Sequence, residues 1–331
     1  MSRKQPHCAL VLLIAASVGG CAGDQSAFSP AGPHAESIDT LFWIMTVAGL
    51  LIFLAVMAMA AVAIGRRGRL GQLLSSERFV IGAGIVFPIA ILTLLLTYGL
   101  FVMRAGAPLA AGEDALRIKV SGERWWWRIT YVRPDGTTFE SANEIRIPVG
   151  RPVVLELTTA DVIHSFWVPK LAGKLDMIPG RTNELTLQAS AEGVSRGQCA
   201  EYCGGAHALM SLYVVALAED AFQEWFAREA GPAPPPETDR ERLGQQIFLQ
   251  NGCGGCHTIR GIGANGAIGP DLTHVGSRLS LAAAALPNDT QAFARWIRNN
   301  QHIKPDNLMP DYTILDESQL IALASYLEGL K

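Results

Sequence analysis

Two long apolar runs near the start of the chain, residues 41–64 and 79–103, constrain its fold more than any other feature. At about 1.5 Å per helical residue each run is long enough to cross a hydrocarbon core of roughly 30 Å. Neither run contains a charged residue. Buried core helices are the competing reading, and the loop between the runs argues against it. Residues 65–78 hold Arg66, Arg67, Arg69 and Arg78 against Glu77 alone. An arginine-rich connection is the mark of a cytoplasmic loop, which places everything after residue 104 on the outer face. Composition agrees, since only 17% of the residues are charged, against about 25% in ordinary soluble proteins.

Ahead of the first run, Ser2-Arg3-Lys4, an apolar stretch over 9–18 and Gly19-Gly20-Cys21 follow the basic, apolar, small-residue order of a secretory signal. A Cys directly after two small residues resembles a bacterial lipobox. Residues 1–20 are therefore expected to be a lipoprotein-type signal peptide and Cys21 the lipidated first residue, the alternative being an ordinary signal with an incidental Cys. The membrane hairpin then occupies 36–104.

From residue 116 the texture changes to short alternating segments at 116–120, 125–131, 144–148, 153–158, 183–187 and 212–216, broken by Pro134-Asp135-Gly136 and Ile178-Pro179-Gly180. Such spacing predicts a small β-sandwich or barrel over 105–230, closed by a helix at 218–228 with Phe222, Trp225 and Phe226 on its apolar side. Gly231-Pro-Ala-Pro-Pro-Pro236 marks a boundary, and its prolines predict a semi-rigid extended linker over 231–238. Helical periodicity follows at 239–250, 290–300 and 317–330, which makes 239–331 a small all-α domain. Segments 1–104, 105–230 and 231–331 carry net charges of +3, −4 and −2, so no part has the basic excess of a nucleic-acid footprint.

Four of the six Cys come in two close pairs, which suggests metal or cofactor attachment before a disulfide framework. The first pair lies in Cys199-Ala-Glu201-Tyr-Cys203-Gly-Gly-Ala-His207-Ala-Leu-Met210, and a further imidazole stands upstream in Asp161-Val-Ile-His164. Two thiolates, two imidazoles and a thioether are a soft set that selects copper for electron transfer over magnesium or calcium. A Cys₂His₂ zinc site and a Cys199–Cys203 disulfide are the rival readings, and the added Met favours copper. In Trp125-Trp126-Trp127, successive strand residues face opposite sides, so at least one of the three is expected at the surface, and packing accounts for the rest.

The second pair is Cys253-Gly-Gly-Cys256-His257, the attachment pattern of a c-type haem, in which two thiols form thioethers and the adjacent His ligates iron. Zinc would need a second Cys pair downstream, and none follows. Met309, in Asn307-Leu308-Met309-Pro310, is the sole Met after the motif and the expected second axial ligand, with His274 and His302 as the alternatives.

Residues 36–230 resemble subunit II of haem–copper cytochrome c oxidases, on the stretches 122–127, 161–169, 173–181 and 197–210. The resemblance implies two transmembrane helices followed by a cupredoxin sandwich with a binuclear copper A centre. It makes Cys199 and Cys203 bridging thiolates, His164 and His207 terminal ligands, Met210 a weak ligand, and Glu201 a ligand through its backbone carbonyl. It also brings the Glu201 carboxylate towards a magnesium ion shared with subunit I, and makes Trp125 the electron entry residue. Gly269-Pro-Asp-Leu272, Trp296 and Tyr326 resemble class I cytochrome c, and the order of the two parts resembles the caa-type oxidases.

The resemblance therefore implies electron transfer from an external donor, such as a cytochrome bc complex or a soluble cytochrome c, through one covalent haem c and two coppers to subunit I. There oxygen becomes water with proton translocation, in a bacterial cell membrane shared with subunits I and III, both metal domains lying on the periplasmic or outer face. Two departures stand out. Glu123-Arg124 replace the family's His-Gln, and Ile81 stands where many members carry a Glu before Pro88, with Glu77 a turn further out. A nitric oxide reductase input subunit and a free-standing lipid-anchored shuttle are the alternative functions. Quinol oxidase subunits lack the copper ligands, and seven His are too few for a nitrous oxide reductase.

Overall fold

The computed structural model describes residues 23–65, 68–105, 112 and 115–331. The expected signal peptide, Cys21, Arg66 and Arg67 lie outside the described residues. The chain divides into two compact units, residues 36–110 and the remainder.

In the first unit, α1 (Pro33–Ile64) is 32 residues long and starts eight residues before the apolar run. Pro33 sits in the first turn, where its missing N–H costs no hydrogen bond, and Glu36 complements the dipole there. After α2 (Gly68–Leu74), α3 (Glu77–Ile81) is capped by Ser76, whose hydroxyl accepts from Phe79 N. A π-helical turn, Gly82–Val86, joins α3 to α4 (Phe87–Ala105). Pro88 has no N–H to give to the carbonyl four residues back, and the backbone absorbs that loss by widening the preceding turn. α1 and the α3–α4 run are long and apolar enough to cross a membrane by length and composition.

The second unit opens with ten strands: β1 (Leu116–Glu123), β2 (Trp126–Val132), β3 (Thr138–Ala142), β4 (Glu144–Pro148), β5 (Val153–Thr159), β6 (His164–Trp167), β7 (Leu175–Met177), β8 (Asn183–Leu187), β9 (Gly193–Cys199) and β10 (Ser211–Leu217). They form two five-stranded sheets, ordered β3-β2-β1-β5-β8 and β4-β10-β9-β6-β7. Alternation drives this, since β2 buries every second side chain, Trp127, Ile129 and Tyr131. Tyr131 ties the sheets together: its hydroxyl donates to Arg146 O and accepts from Arg146 N. α5 (Glu219–Glu229) closes the sandwich, packing Trp225 and Phe226 on Tyr131 and Phe139.

The C-terminal part is built on α6 (Asp239–Gln250), α7 (Thr290–Ile303) and α8 (Glu317–Gly329). Thr238 with Glu241, and Asp316 with Gln319, form capping boxes that fix where α6 and α8 begin. α6 crosses α8 at Gly244, where an added Cβ would overlap the Ala322 carbonyl.

Residues 231–236 have no regular structure, yet they are not a free spacer. Arg260 Nε donates to Gly231 O, Ala233 N donates to Arg260 O, and Pro232 packs over Gly261. The expected extended tether is thus pinned to the α-helical part by Arg260, whose guanidinium donates to the Gly231 carbonyl and whose main-chain carbonyl accepts from Ala233 N. Polar bonds also run from the sandwich to that part: Arg128 Nη2 to Ala267 O, Arg146 Nη2 to Ser277 O, and Leu279 N to Glu144 Oε2.

Replacing Gly244 by Val forces α6 and α8 apart. The change is expected to destabilise the C-terminal part by about 1–3 kcal/mol, seen as a lower thermal midpoint for that part with the sandwich transition unchanged.

Candidate metal centres

β9 ends at Cys199 and β10 begins at Ser211, so the loop of residues 200–210 leaves and re-enters one sheet between neighbouring strands. Cys199 N donates to Met210 O at 2.8 Å, and Ala200 N to Ser165 O, which closes the loop at its base. β6 is the other neighbour of β9, pairing Phe166 with Cys199, and so delivers His164 to the loop from the side. His164, Cys199, Cys203 and Met210 are all buried, while His207 is half-buried at the rim.

The sulfurs of Cys199 and Cys203 stand 3.7 Å apart, far beyond the roughly 2.05 Å of a disulfide. Two sulfurs on one tetrahedral metal at about 2.3 Å each would lie roughly 3.8 Å apart. His164 Nδ1 is 3.8 Å from Cys199 Sγ, His207 Nδ1 is 3.5 Å from Cys203 Sγ, and Met210 Sδ is 3.9 Å from Cys203 Sγ. The Glu201 carbonyl lies 3.2 Å from Cys199 Sγ, whereas its carboxylate accepts from Tyr202 N. One ligand atom each from His164, Cys199 and Cys203 falls within 4.8 Å of the others. The donor set therefore fits a soft thiophilic metal, with a thiolate pair at the centre and one imidazole at each end.

Two supports for this geometry escaped the sequence reading. Asp161 Oδ1 bonds His164 Nε2 at 2.8 Å, which turns Nδ1 towards the thiols. The Asp stands three residues before the His, and that spacing was the available signal. Gly122 leaves room for the imidazole, since a Cβ there would lie 2.7 Å from His164 Cδ2. Electrostatics favour one thiolate already: the hydrogen bond from Cys203, with help from His164, holds Cys199 below the usual thiol range, while the same contact raises Cys203. Burial opposes protonation of His164, but the Cys199 and Asp161 hydrogen bonds outweigh it and raise its pKa.

The second constellation lines a cavity of about 1370 Å³, counting its open mouth. Cys253, Cys256, His257 and Met309 all reach its wall, with Trp296 and Tyr312, whereas neither His274 nor His302 does. His274 is instead buried against Gly231 O and Lys331 O, and His302 is exposed. His257 Nδ1 donates to Pro270 O at 2.8 Å, which fixes the tautomer with Nε2 unprotonated. Burial lowers the His257 pKa, keeping the ring neutral as an iron ligand requires. Gly269 is the cradle for that ring, because a Cβ there would sit 2.5 Å from His257 Cε1. The walls and donors fit a covalently attached haem.

None of the three consecutive Trp is exposed. Trp127 lies in the sandwich core, Trp126 is half-buried under the Arg128 guanidinium at 4.7 Å, and Trp125 is 4% exposed. The expected surface indole is missing because the C-terminal part covers this end of the sandwich. Trp125 lines the same cavity, packs over Gly204, and donates from Nε1 to Cys203 O at 3.1 Å. The Glu123-Arg124 pair is also engaged: Glu123 holds Arg128 at 2.6 Å, and Arg124 N donates to Asp161 Oδ2.

Comparison with known proteins gives a model of the cytochrome c oxidase subunit II periplasmic domain matching residues 132–217, and a cytochrome c model matching 242–331. The cytochrome c oxidase subunit 2 of Alkalihalophilus pseudofirmus is 33% identical over 324 residues, covering 94% of this chain and 93% of that protein. That of Bacillus sp. strain PS3 is 30% identical, covering 73% of this chain and 70% of its own. The crystal structure of the periplasmic domain of subunit II from Bradyrhizobium japonicum is 32% identical, covers 36% of this chain and 96% of that one, and has a TM-score of 0.34. The class is thus a membrane-anchored cupredoxin-like sandwich joined to a cytochrome c domain. The chain belongs to the cytochrome c oxidase subunit 2 family, a component of an oxidoreductase complex with an electron-transfer role.

Replacing Gly122 by Ala would push the His164 imidazole off its seat. Metal bound by the sandwich is expected to fall while circular dichroism of the sheets stays unchanged, which elemental analysis beside spectra would check.

Proposed function

We propose that this chain is the electron-input subunit of a caa-type cytochrome c oxidase. It takes electrons from an external donor at the cytochrome domain and delivers them through the cupredoxin domain to a haem–copper subunit I. When bound, a covalent haem and a two-copper centre supply the one-electron acceptance and release. The carrying observation is Trp125: its indole forms part of the cavity wall beside the Cys253–His257 motif and also hydrogen bonds the Cys203 carbonyl. One buried side chain therefore touches both candidate metal centres, which is the placement an electron entry residue needs.

In this reading Cys253 and Cys256 would hold the haem by thioethers, with His257 and Met309 as its iron ligands. Cys199 and Cys203 would hold the two coppers through their thiolates, with His164, His207, Met210 and the Glu201 carbonyl as the further ligands. The Glu201 side chain is left to face a magnesium ion shared with subunit I. Asp161 orients His164, and Pro270 orients His257. Val162, Ile163 and Tyr202 expose apolar surface beside the copper loop, which suits burial against a partner subunit. The two apolar spans make the protein multi-pass in a bacterial inner membrane, with both metal domains on the periplasmic face and Cys21 as a lipid anchor. Subunits I and III would be its neighbours.

Purified from membranes, the chain is expected to carry two copper and one iron and to travel with a large haem-bearing partner. Cys203→Ser should abolish copper and leave iron in place, whereas Met309→Ala should keep both metals and lower the haem midpoint potential, because a thioether ligand raises it. Iron without copper in the parent chain would overturn the reading. Copper and iron without an oxidase partner would favour the free-standing shuttle.

A further inference from the structure

Lys304 is the residue of the C-terminal domain that the function above leaves without a role, and its setting is unusual. It follows α7, is 3% exposed, and no carboxylate among the described residues lies within ion-pair distance of it. Its Nζ donates to Trp125 O at 2.9 Å and to Ala282 O at 2.8 Å. One acceptor belongs to the sandwich and the other to the cytochrome domain. Burying an ammonium without a counter-charge is costly, so a lysine here needs a return other than stability.

The second acceptor belongs to a strained segment. Ala282, Ala283 and Ala284 have φ of 52, 60 and 61°, three successive left-handed residues with no glycine among them. Such conformations persist only where the surroundings over-determine them. Here they aim two consecutive carbonyls in different directions: Ala282 O at Lys304, and Ala283 O at Ser211 N, 3.2 Å away in the sandwich. Ser211 directly follows Met210 at the base of the copper loop, and Ala283 is buried. Lys304 and Ala282 also line the cavity beside Trp125.

We infer that Lys304 and the left-handed turn Ala282–Ala284 form a latch that sets the cytochrome domain against Trp125 and the Met210–Ser211 backbone, making Lys304 a positioning residue for electron passage between the domains. This rests on the electron-input reading above. The Arg128, Arg146 and Glu144 bonds described earlier hold other parts of the junction, whereas among the described residues the latch grips both the backbone of the entry residue and the base of the copper loop. Burial pulls Lys304 down to about 7, and the latch survives that, since a neutral amine still has two N–H bonds for two carbonyls. Transfer itself moves one electron from the reduced haem to the oxidised copper pair and needs no other reactant. Its rate falls exponentially with distance, so a loosened latch is felt there first.

The test is Lys304→Met in the full chain within its oxidase complex, with both centres loaded. Met keeps the length of the side chain and removes the buried charge, while leaving the Trp125 and Ala282 carbonyls without that donor. Interdomain transfer after rapid haem reduction is expected to slow at least about tenfold, the scale on which ångström misplacement acts. The Ser211 amide should exchange its hydrogen faster, while the absorption spectra and midpoint potentials of both centres stay at parent values. Lys304→Arg, which keeps the donors, should recover much of the rate. Parent transfer and parent exchange in Lys304→Met would overturn the latch. If that variant fails to accumulate, Lys304→Gln, which retains a donor for one carbonyl, is read in the same two ways and parent values again overturn it. A parent protein that shows no haem-to-copper transfer would sink the electron-input reading, and Ser211 exchange would still judge the latch.

Discussion

The hydrogen bond from Cys199 N to Met210 O decides more of this molecule than its length suggests. It lets β9 stop and β10 start on neighbouring strands while the eleven residues between them bulge out as a closed loop. Inside that loop Cys199 Sγ stands 3.7 Å from Cys203 Sγ and Cys203 Sγ 3.9 Å from the Met210 thioether, and β6, on the other side of β9 in the same sheet, supplies His164 at a fixed height. The sandwich core, with Trp127 edge-on to Phe166 and tilted against His164, exists beneath the loop as its foundation. Rigid strands under a short loop are how a fold presents soft ligands at a spacing they would not hold alone.

Much of this was legible in the residues. Alternation located six of the ten strands but not β3, β6, β7 and β9, helical periodicity placed the later helices, and the two Cys motifs pointed to both candidate centres. Local chemistry of that kind is encoded within a few residues of where it acts. What stayed hidden was relational. Nothing near Trp125 announces that it will be covered by Lys304, 179 residues further on, or that Arg260 will turn a proline-rich stretch into a fixed strap. The π turn at Gly82–Val86 was missed for a different reason: a proline in an apolar run reports only a disturbance, and the backbone chooses how to absorb it. The early start of α1 is similar, since a Pro at a helix N-terminus and a Pro in a loop look alike until the next turn forms.

The two candidate centres also differ in how the protein prepares them. In the sandwich the candidate ligands other than half-buried His207 are buried, and hydrogen bonds from Cys203 and His164 lower the Cys199 pKa. In the cytochrome domain the imidazole is held neutral and aimed, and the cavity around it is apolar and roomy. The first arrangement suits a soft metal held among sulfur and nitrogen donors, and the second suits a large planar group enclosed by apolar walls.

Most partners of this kind meet by diffusion, and charged surfaces steer the encounter, so dissolved salt governs how often they meet. The strap at residues 231–236 and the covered Trp125 remove that variable from one step. On the electron-input reading, the domain that would otherwise visit the entry indole is already seated on it. Ionic strength then acts only where the external donor arrives, and the internal step runs at the same rate in dilute and concentrated surroundings.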